Sequence, residues 1–353
     1  MTNDIHGGNI YRKGRNIRLD LSANINPLGM PESVKKAAKD AVDISDRYPD
    51  HSCGELREKL ASLWKVRQDM IFFGNGADDL IFRIVNAIRP KHALIAVPTF
   101  SEYEKALEAV GCNIIKYRLN PKNGFVLDEY ILDVIDEYRD VLDMMILCSP
   151  NNPTGRLIDR GLLDRINQKC NYGIYFLLDE CFAELTEYGV HYCFPFGGIS
   201  EFDIVLRAFT KTYAMAGLRL GYAVFGSKDM YYETSEQGQF WSVSTVAQAA
   251  GAAALEETGY VKNAVELISA EREYLSNELK KFGFTVYPSD ANFILFRCDI
   301  PLDEMLLNNG ILIRNCDNFD GLGEGYFRTA VRTHAENEEL VKTIEKVIKW
   351  QNA

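Results

Sequence analysis

Residues 204–225 read IVLRAFTKTYAMAGLRLGYAVF, and this stretch decides the predicted fold class. It begins and ends in short apolar runs, Ile204–Phe209 and Tyr222–Phe225, which are typical of β-strands. Both runs are nearly continuous in apolar residues, so both faces of each strand should be buried, as in a sheet covered by helices. Between them lies a polar turn that carries Lys211 and Arg219.

Similar runs recur along the chain, separated by amphipathic helical patterns. The other strand-like runs are Met70–Phe73, Ala93–Val97, Asn113–Leu119, Met144–Cys148 and Tyr175–Leu178. A helical pattern over residues 80–88 separates the first two, with apolar residues three and four positions apart. Strands that alternate with helices predict an α/β fold with a doubly wound, mostly parallel, seven-stranded sheet.

The pattern changes after residue 226. A helical stretch covers roughly residues 245–282, with a break expected at Gly259. Later elements are strand patterns and a final helix, at Thr285–Tyr287, Phe293–Arg297, Ile311–Arg314, Tyr326–Val331 and Asn337–Trp350. We expect a large domain over residues 41–244 and a smaller α+β domain over residues 245–353. The N-terminal arm and helix, residues 1–40, are expected to pack on the small domain.

The composition limits the classes of partner. With 39 basic against 50 acidic residues the formal charge is −11, which disfavours nucleic acid and membrane surfaces. Residues 1–18 are polar, and no run reaches the roughly 18 apolar residues that cross a bilayer. The eight cysteines are scattered without a close pair, so neither a metal site nor a redox motif is predicted. We expect a cytoplasmic protein whose anionic ligands, if any, need a local arginine cluster.

Polar residues follow the predicted strands at four places. Alone, Lys211 would be an ordinary surface lysine, but Thr210 and Arg219 lie near it in sequence and can surround a phosphate ester. A compact amine on a long stem forms Schiff bases once its pKa is depressed. Asp179 closes a buried strand, where a carboxylate is costly without a cationic partner.

The other two places are glycine- and asparagine-rich turns. Residues 151–155 read NNPTG and residues 74–78 read GNGAD, and either could be a plain turn. In the second, Gly76 lets the backbone approach a phosphate at the start of the next helix. All four places lie at carboxyl ends of predicted parallel strands, where ligands bind in doubly wound folds.

The set GNGAD, NNPTG, LDE and TK-x₇-R-x-GY resembles class I/II aminotransferases, the fold-type I pyridoxal-phosphate enzymes. The resemblance implies that residues 41–244 bind pyridoxal 5'-phosphate. It implies that Lys211 is the Schiff-base lysine and proton shuttle, that Asp179 pairs with the pyridinium nitrogen, and that Asn152 donates to the phenolic oxygen. The implied phosphate contacts are Gly76, Ala77, Thr210 and Arg219.

Two aromatic residues carry further family roles. Phe100 matches the residue that stacks on the cofactor ring, and Tyr48 matches a tyrosine that reaches the phosphate of the neighbouring subunit, which implies a homodimer with shared sites. Phe182 departs from the family, because its position is usually a tyrosine that donates to the phenolic oxygen. This departure argues against an ordinary aspartate-type transaminase.

The termini resemble a narrower group. The HGGN start at residues 6–9 and the segment LSANINPLGMP at residues 21–31 are similar to the threonine-phosphate decarboxylases of cobalamin synthesis. That resemblance implies decarboxylation of L-threonine O-3-phosphate to (R)-1-amino-2-propanol O-2-phosphate. An aminotransferase of the related histidinol-phosphate type, acting on a phosphorylated amino substrate, stays open, because no residue fixes which Cα bond is broken. A non-catalytic cofactor-binding module is the remaining alternative.

Three arginines form the cluster that an anionic substrate needs on this acidic chain. They are Arg314, Arg328 and Arg332, and arginine suits bidentate binding of carboxylate or phosphate. Strand arginines facing water are the alternative. By resemblance, Arg328 binds the acidic end of the substrate, with Asn152 nearby. Arg314, His6 and Asn24 would contact the phosphate, and which arginine takes which group stays open.

Overall fold

The computed structural model describes residues 6–11, 16–189 and 199–351. Its strands are β1 Leu19–Asp20, β2 Ile71–Gly74, β3 His92–Val97, β4 Asn113–Arg118, β5 Met144–Cys148, β6 Tyr175–Asp179, β7 Asp203–Ala208, β8 Gly221–Phe225, β9 Thr285–Val286, β10 Phe293–Arg297, β11 Ile311–Leu312, β12 Arg314–Asn315 and β13 Tyr326–Ala330. Its α-helices are α1 Glu32–Asp40, α2 Gly54–Trp64, α3 Ala77–Ile88, α4 Ser101–Ala109, α5 Tyr130–Glu137, α6 Arg160–Cys170, α7 Phe209–Thr212, α8 Lys228–Ser235, α9 Thr245–Ala254, α10 Tyr260–Lys281, α11 Leu302–Leu307 and α12 His334–Gln351.

The main sheet has seven strands in the order β2-β8-β7-β6-β5-β3-β4. Only β8 is antiparallel to its neighbours β2 and β7, so the other six strands share one direction. The predicted mostly parallel sheet is therefore confirmed. Because β2, β5, β6 and β7 end at the same edge, the residues that follow them are brought together there.

Helices cover both faces of this sheet. On one face, Ile84 of α3 and Tyr103 of α4 pack with Ile95 and Ile146 of the central strands. On the other face, helices α5 and α6 supply Ile131, Ile135, Leu162 and Ile166. Strand β4 lies at the edge of the sheet, and none of its residues is fully buried. The prediction that both faces of each strand are buried is therefore wrong for β4, which has only one neighbouring strand.

A second sheet, in the order β12-β13-β10-β9, is antiparallel throughout. The predicted strand Ile311–Arg314 is divided into two, because β11 pairs with β1 whereas β12 pairs with β13. The expected break at Gly259 is present between α9 and α10, with a positive φ of 78°. The final helix begins at His334, three residues before the predicted Asn337.

The N-terminal segment contacts both parts of the chain. Strand β1 pairs with β11, and Leu21 is fully buried in the cluster that contains Ile311 and Leu340. Helix α1 packs against α9, where Val34 joins an apolar cluster with Ala250 and with residues of β2 and β8. A two-residue strand is too short to give an alternating pattern, which is why β1 could not be predicted.

None of the described helices is both long enough and apolar enough to be a candidate membrane span. The boundaries at residues 40 and 244 remain predictions. Cys193 lies outside the described residues, and the other seven cysteines are free thiols.

Candidate active site

A cavity of about 220 Å³ opens at the edge where the parallel strands end. It lies between the main sheet, the β12–β13 hairpin of the second sheet and the N-terminal segment. The predicted site residues that line it are His6, Asn24, Ala77, Phe100, Asn152, Asp179, Thr210, Lys211, Arg219, Arg314 and Arg328. Residues predicted from distant motifs are therefore brought to one place by the fold.

Lys211 is held on α7, the single turn of helix that follows β7. Its amine lies 5.9 Å from the centroid of the Phe182 ring and, within the described ranges, forms no hydrogen bond or ion pair. Burial, together with the neighbouring charge of Arg328, lowers the pKa of Lys211 to about 8. A substantial fraction of the amine is therefore neutral near pH 8, which is the form that attacks an aldehyde.

Asp179 is the last residue of β6, and its carboxylate is buried at the floor of the cavity. The hydroxyl of Tyr103 donates to Oδ2 at 2.6 Å, and the backbone N–H of Cys181 donates to Oδ1 at 2.8 Å. Burial raises the pKa of Asp179, while the hydrogen bonds from Cys181 and Tyr103 oppose the rise. A cationic ligand group would stabilise this carboxylate further.

Tyr103 was not predicted as a site residue. It lies on α4, one helical turn after Phe100, and the two rings meet edge to face with centroids 5.6 Å apart. Tyr103 comes three residues after Phe100, which was predicted to stack on a ligand. On a helix this spacing places both side chains on one face, so it could have indicated that Tyr103 also points inward. Its role as the hydrogen-bond partner of Asp179 depends on the tertiary fold, because α4 and β6 are 76 residues apart at this contact.

The turn between β2 and α3 forms a cradle beside Arg219. Gly76 has a φ of 85°, and a Cβ added there would come within 2.5 Å of Nη2 of Arg219. Within the described residues that guanidinium makes long contacts, 3.4 Å to Asp78 and 3.4 Å to the carbonyl of Ala216. The N-terminus of α3 begins at Ala77, so backbone N–H groups and an arginine face the same space.

Arg328 and Arg314 are register partners on β13 and β12. Arg328 donates to the side-chain oxygen of Asn152 and, at 2.8 Å, to the carbonyl of Ser22. Its Nε has no partner among the described residues. Burial lowers the pKa of Arg328 to about 10, and repulsion from Arg314 contributes. Burial also lowers the pKa of Arg314, whose Nη2 donates to Asn318 at 2.7 Å.

The N-terminal segment closes the remaining wall. Asn24 is buried, and its Oδ1 has no hydrogen-bond partner within the described part of the chain. His6 Nε2 lies 2.7 Å from Glu102, and its ring centroid lies 5.8 Å from that of Phe100. The N–H of Gly8 donates to Ser22 Oγ at 2.7 Å. Ser22 also lines the cavity, although it was not predicted.

Three predicted residues are not among those that line the cavity. Gly76 lies in the cradle next to the guanidinium of Arg219. Tyr48 is 78% exposed and stacks on Trp241 at a centroid distance of 4.2 Å. Arg332 binds Glu336, with Nη2 at 3.1 Å, and donates to the carbonyl of Ile25 at 3.4 Å. The substrate role predicted for Arg332 therefore has no cavity contact to support it.

Among solved structures, the fold is similar to that of histidinol-phosphate aminotransferase from Sinorhizobium meliloti in complex with pyridoxal-5'-phosphate. The TM-score is 0.85, with 96% of this chain and 93% of that chain covered, at 21% sequence identity. At this identity the similarity shows the fold alone. The predicted large mostly parallel sheet with a smaller second part is confirmed.

Sequence similarity extends over nearly the whole chain. Threonine-phosphate decarboxylase from Salmonella typhimurium is 37% identical over an alignment of 357 residues that covers 98% of this chain and 97% of that protein. Histidinol-phosphate aminotransferase from Thermoanaerobacter pseudethanolicus is 35% identical over 340 residues, which cover 94% of this chain and 93% of that protein. Residues 16–344 match the family described as aminotransferase class I and II. The chain belongs to the aminotransferase class I and II family, as its motifs predicted.

Proposed function

We propose that this protein is a pyridoxal-phosphate enzyme that decarboxylates L-threonine O-3-phosphate to (R)-1-amino-2-propanol O-2-phosphate. The observation that carries the proposal is a pair of buried arginines, Arg314 and Arg328, beside the buried amine of Lys211. Buried cations are costly unless a ligand or partner compensates them. A substrate with two anionic groups and one amine matches this charge pattern.

The residues fit pyridoxal phosphate at the sheet edge. A phosphate group suits the cradle of Gly76, Thr210, Arg219 and the α3 N-terminus, where the missing Cβ leaves space next to the guanidinium. At the opposite side, Asp179 offers a buried carboxylate to a protonated ring nitrogen. Phe100 would stack on the ring, and the Asn152 amide would donate to its phenolic oxygen.

Bound at this site, pyridoxal phosphate supplies an electron sink for the pair of electrons released when a bond to Cα breaks. The buried carboxylate of Asp179, held by hydrogen bonds from Tyr103 and Cys181, would stabilise a positive charge on the ring nitrogen. The lysine amine, whose pKa is lowered to about 8, both accepts and donates protons near neutral pH. Lys211 therefore delivers the proton that replaces the lost carboxylate at Cα.

The substrate acids bind on the hairpin side of the cavity. Arg328 already contacts Asn152, so we assign it to the substrate carboxylate next to the cofactor ring. Arg314, Asn24 and His6 also line the cavity and would hold the phosphate. Asn24 is buried and lines the cavity, and its side-chain N–H groups could donate to a phosphate ester.

Histidinol phosphate carries a phosphate but no carboxylate, so it would leave one of the two buried arginines without an anion. This argument favours threonine phosphate over histidinol phosphate as the substrate, but it does not decide the reaction type, because glutamate, the product of a transamination with 2-oxoglutarate, also carries two anionic groups and one amine. The 37% and 35% identities to the two kinds of relative are too close to separate them. Phe182, which has no hydroxyl to donate to the phenolic oxygen, argues against an ordinary aspartate-type transaminase.

We propose that the chain forms a homodimer in which Tyr48 reaches the cofactor phosphate of the partner subunit. The proposal is supported by an exposed aromatic patch, Tyr48, Phe240 and Trp241, whose side chains are 78%, 65% and 45% exposed. Clustered aromatic side chains on a surface mark protein interfaces. The acidic charge and free thiols are consistent with the proposed cytoplasmic location.

The reaction type is tested by product analysis. Incubation of the cofactor-loaded enzyme with threonine phosphate should release carbon dioxide and aminopropanol phosphate in equal amounts, without any keto-acid acceptor. Parallel incubation with histidinol phosphate and 2-oxoglutarate should give no glutamate above background. When 2-oxoglutarate is added to either incubation, glutamate formation without gas release would show an aminotransferase instead.

Capture of the cofactor by the cofactor-free protein should depend on pH. Below pH 8 the amine of Lys211 is mostly protonated and unreactive, so the rate should rise with pH and level off above about 8. Arg328→Met removes a repelling charge and should raise the midpoint, whereas Arg297→Met on the exposed end of β10 should not. The rate is measured from the growth of visible absorbance, and a midpoint near the ordinary 10.5 would contradict the proposal.

Gly76→Ala should weaken cofactor binding, because its Cβ would displace the Arg219 guanidinium. We expect the dissociation constant to rise about tenfold or more, which corresponds to at least about 1.4 kcal/mol. Gly283→Ala is the matched control, since its φ of 81° gives similar backbone strain while nothing lies within 4 Å of the new Cβ. Equal affinities of the two variants in fluorescence titration would exclude the phosphate cradle.

The homodimer is tested by sedimentation equilibrium. The protein should sediment at twice its chain mass of 40.0 kDa, and Trp241→Glu should shift it towards the monomer. Tyr172→Glu, at a site 79% exposed and outside the aromatic patch, should leave the mass unchanged. A monomeric native protein that binds the cofactor normally would refute the shared site.

A further inference from the structure

Residues 21–26, here called the strap, run along the cavity between the second sheet and the turn that carries Lys211. Ser22, Ala23 and Asn24 of the strap line the cavity directly. The strap has no regular secondary structure, so its backbone groups are available for bonds to other elements. These bonds connect Lys211 and Arg328, whose relative position matters for the proposed reaction.

One end of the strap is attached to the Lys211 turn through Asn26. This residue is fully buried, and its side-chain amide donates to the carbonyl of Thr212 at 2.8 Å. Its backbone N–H donates to the carbonyl of Lys211 at 3.3 Å. The side-chain oxygen of Asn26 accepts from the N–H of Leu28 at 3.0 Å, which fixes the orientation of the amide.

Helix α7 needs such external support. It has four residues, and the last carbonyl groups of a helix have no partner within the helix. Thr212 is 1% exposed, so water cannot readily replace a donor to its carbonyl. The direction in which the Lys211 side chain leaves this turn therefore depends on the contacts made by Asn26.

The rest of the strap is held by the second sheet and the residues around it. Arg328 donates to the carbonyl of Ser22 at 2.8 Å, and the N–H of Ala330 donates to the carbonyl of Leu21 at 2.8 Å. Asn292 donates to the carbonyl of Asn24 at 3.2 Å, and Arg332 donates to that of Ile25 at 3.4 Å. Arg328 thus contacts both the cavity and the strap.

We propose that Asn26 is a positioning residue that sets the direction of Lys211 and links it, through the strap, to Arg328. A substrate acid that binds Arg328 competes with the Ser22 carbonyl for the same guanidinium and so moves the strap. Asn26 transmits this movement to the lysine turn. Arg332 acts on the strap from outside the cavity, which gives it a role other than the predicted substrate contact. The inference rests on the proposed roles of Lys211 and Arg328.

Displacement of Lys211 has a spectroscopic consequence. The titratable groups that face its amine are Arg328, Cys181, Asp78 and Arg219, which come from four different parts of the chain. Burial and the two arginines favour the uncharged amine nitrogen. If the turn is released, the nitrogen moves towards water and away from Arg328. The pH midpoint of the visible absorbance change of the bound cofactor should therefore rise.

The test compares Asn26→Ala and Asn26→Asp in the cofactor-loaded protein without substrate. Asn26→Asp keeps an acceptor for Leu28 and loses the donor to Thr212, but its carboxylate also raises the midpoint by charge, so Asn26→Ala, which adds no charge, is the decisive variant. Both variants should raise the absorbance midpoint by about half a pH unit or more. With threonine phosphate, kcat should fall about tenfold or more, while KM changes less than threefold, because misplacement of a reacting group affects the chemical step.

Asn167→Ala is the matched control. Asn167 is also a buried asparagine, and its side chain donates a hydrogen bond to Asp203. Asn167 lies on α6 and Asp203 on β7, and neither lines the cavity. This variant should lower thermal stability without moving the midpoint. If the Asn26 variants do not fold, Arg332→Ala releases the strap at Ile25 and should shift the midpoint in the same direction.

A wild-type midpoint in a folded Asn26→Ala variant would overturn the positioning role, whatever the midpoint of Asn26→Asp. A wild-type protein with no visible cofactor band would instead refute the proposed function. The two failures are therefore distinguishable.

Discussion

The burial of positive charge around one cavity is the constraint on which the rest of the site depends. Lys211, Arg328 and Arg314 approach one another in a space shielded from water, and their pKa values are lowered as a result. Such an arrangement is costly for the folded protein unless an anionic ligand compensates it. The same burial leaves a larger fraction of the lysine amine uncharged near pH 8, so the cost in stability and the proposed reactivity have one origin.

The main sheet positions these groups through one reversed strand. Strand β8 is antiparallel to β2 and β7, and its first residue, Gly221, faces Gly74 and Ala208 in register. Arg219, two residues before this strand, is therefore brought to the edge where β2 and β7 end. A Cβ at Gly221 would lie 2.8 Å from the backbone of Gly76 and Ala77, so the close approach requires glycine. The proposed cofactor phosphate site and Lys211 are adjacent because these three strands are neighbours.

Much of the fold and of the cavity lining could be predicted because the relevant signals are local. Each strand of the main sheet is an apolar run, and the motifs around Gly76, Asn152, Asp179 and Lys211 directly follow such runs. Tyr103, Ser22 and Asn26 could not be recognised in this way. Their importance comes from partners 76 to 306 residues away in sequence, and a single tyrosine, serine or asparagine has no distinguishing pattern. For Arg332 the residue type was misleading. Arginine suits anionic ligands, but this side chain instead binds Glu336 and the carbonyl of Ile25 in the strap.

By itself, the sequence determined the fold class, the family and the chemical identity of the cavity groups, because apolar periodicity and short motifs depend only on neighbours along the chain. The tertiary structure alone decided which groups are buried together and which are not. It placed Arg314 next to Arg328 across a strand pair, directed Tyr103 to Asp179, and left Tyr48 exposed. Burial and charge–charge distance control pKa values, and both arise only when distant segments pack against one another.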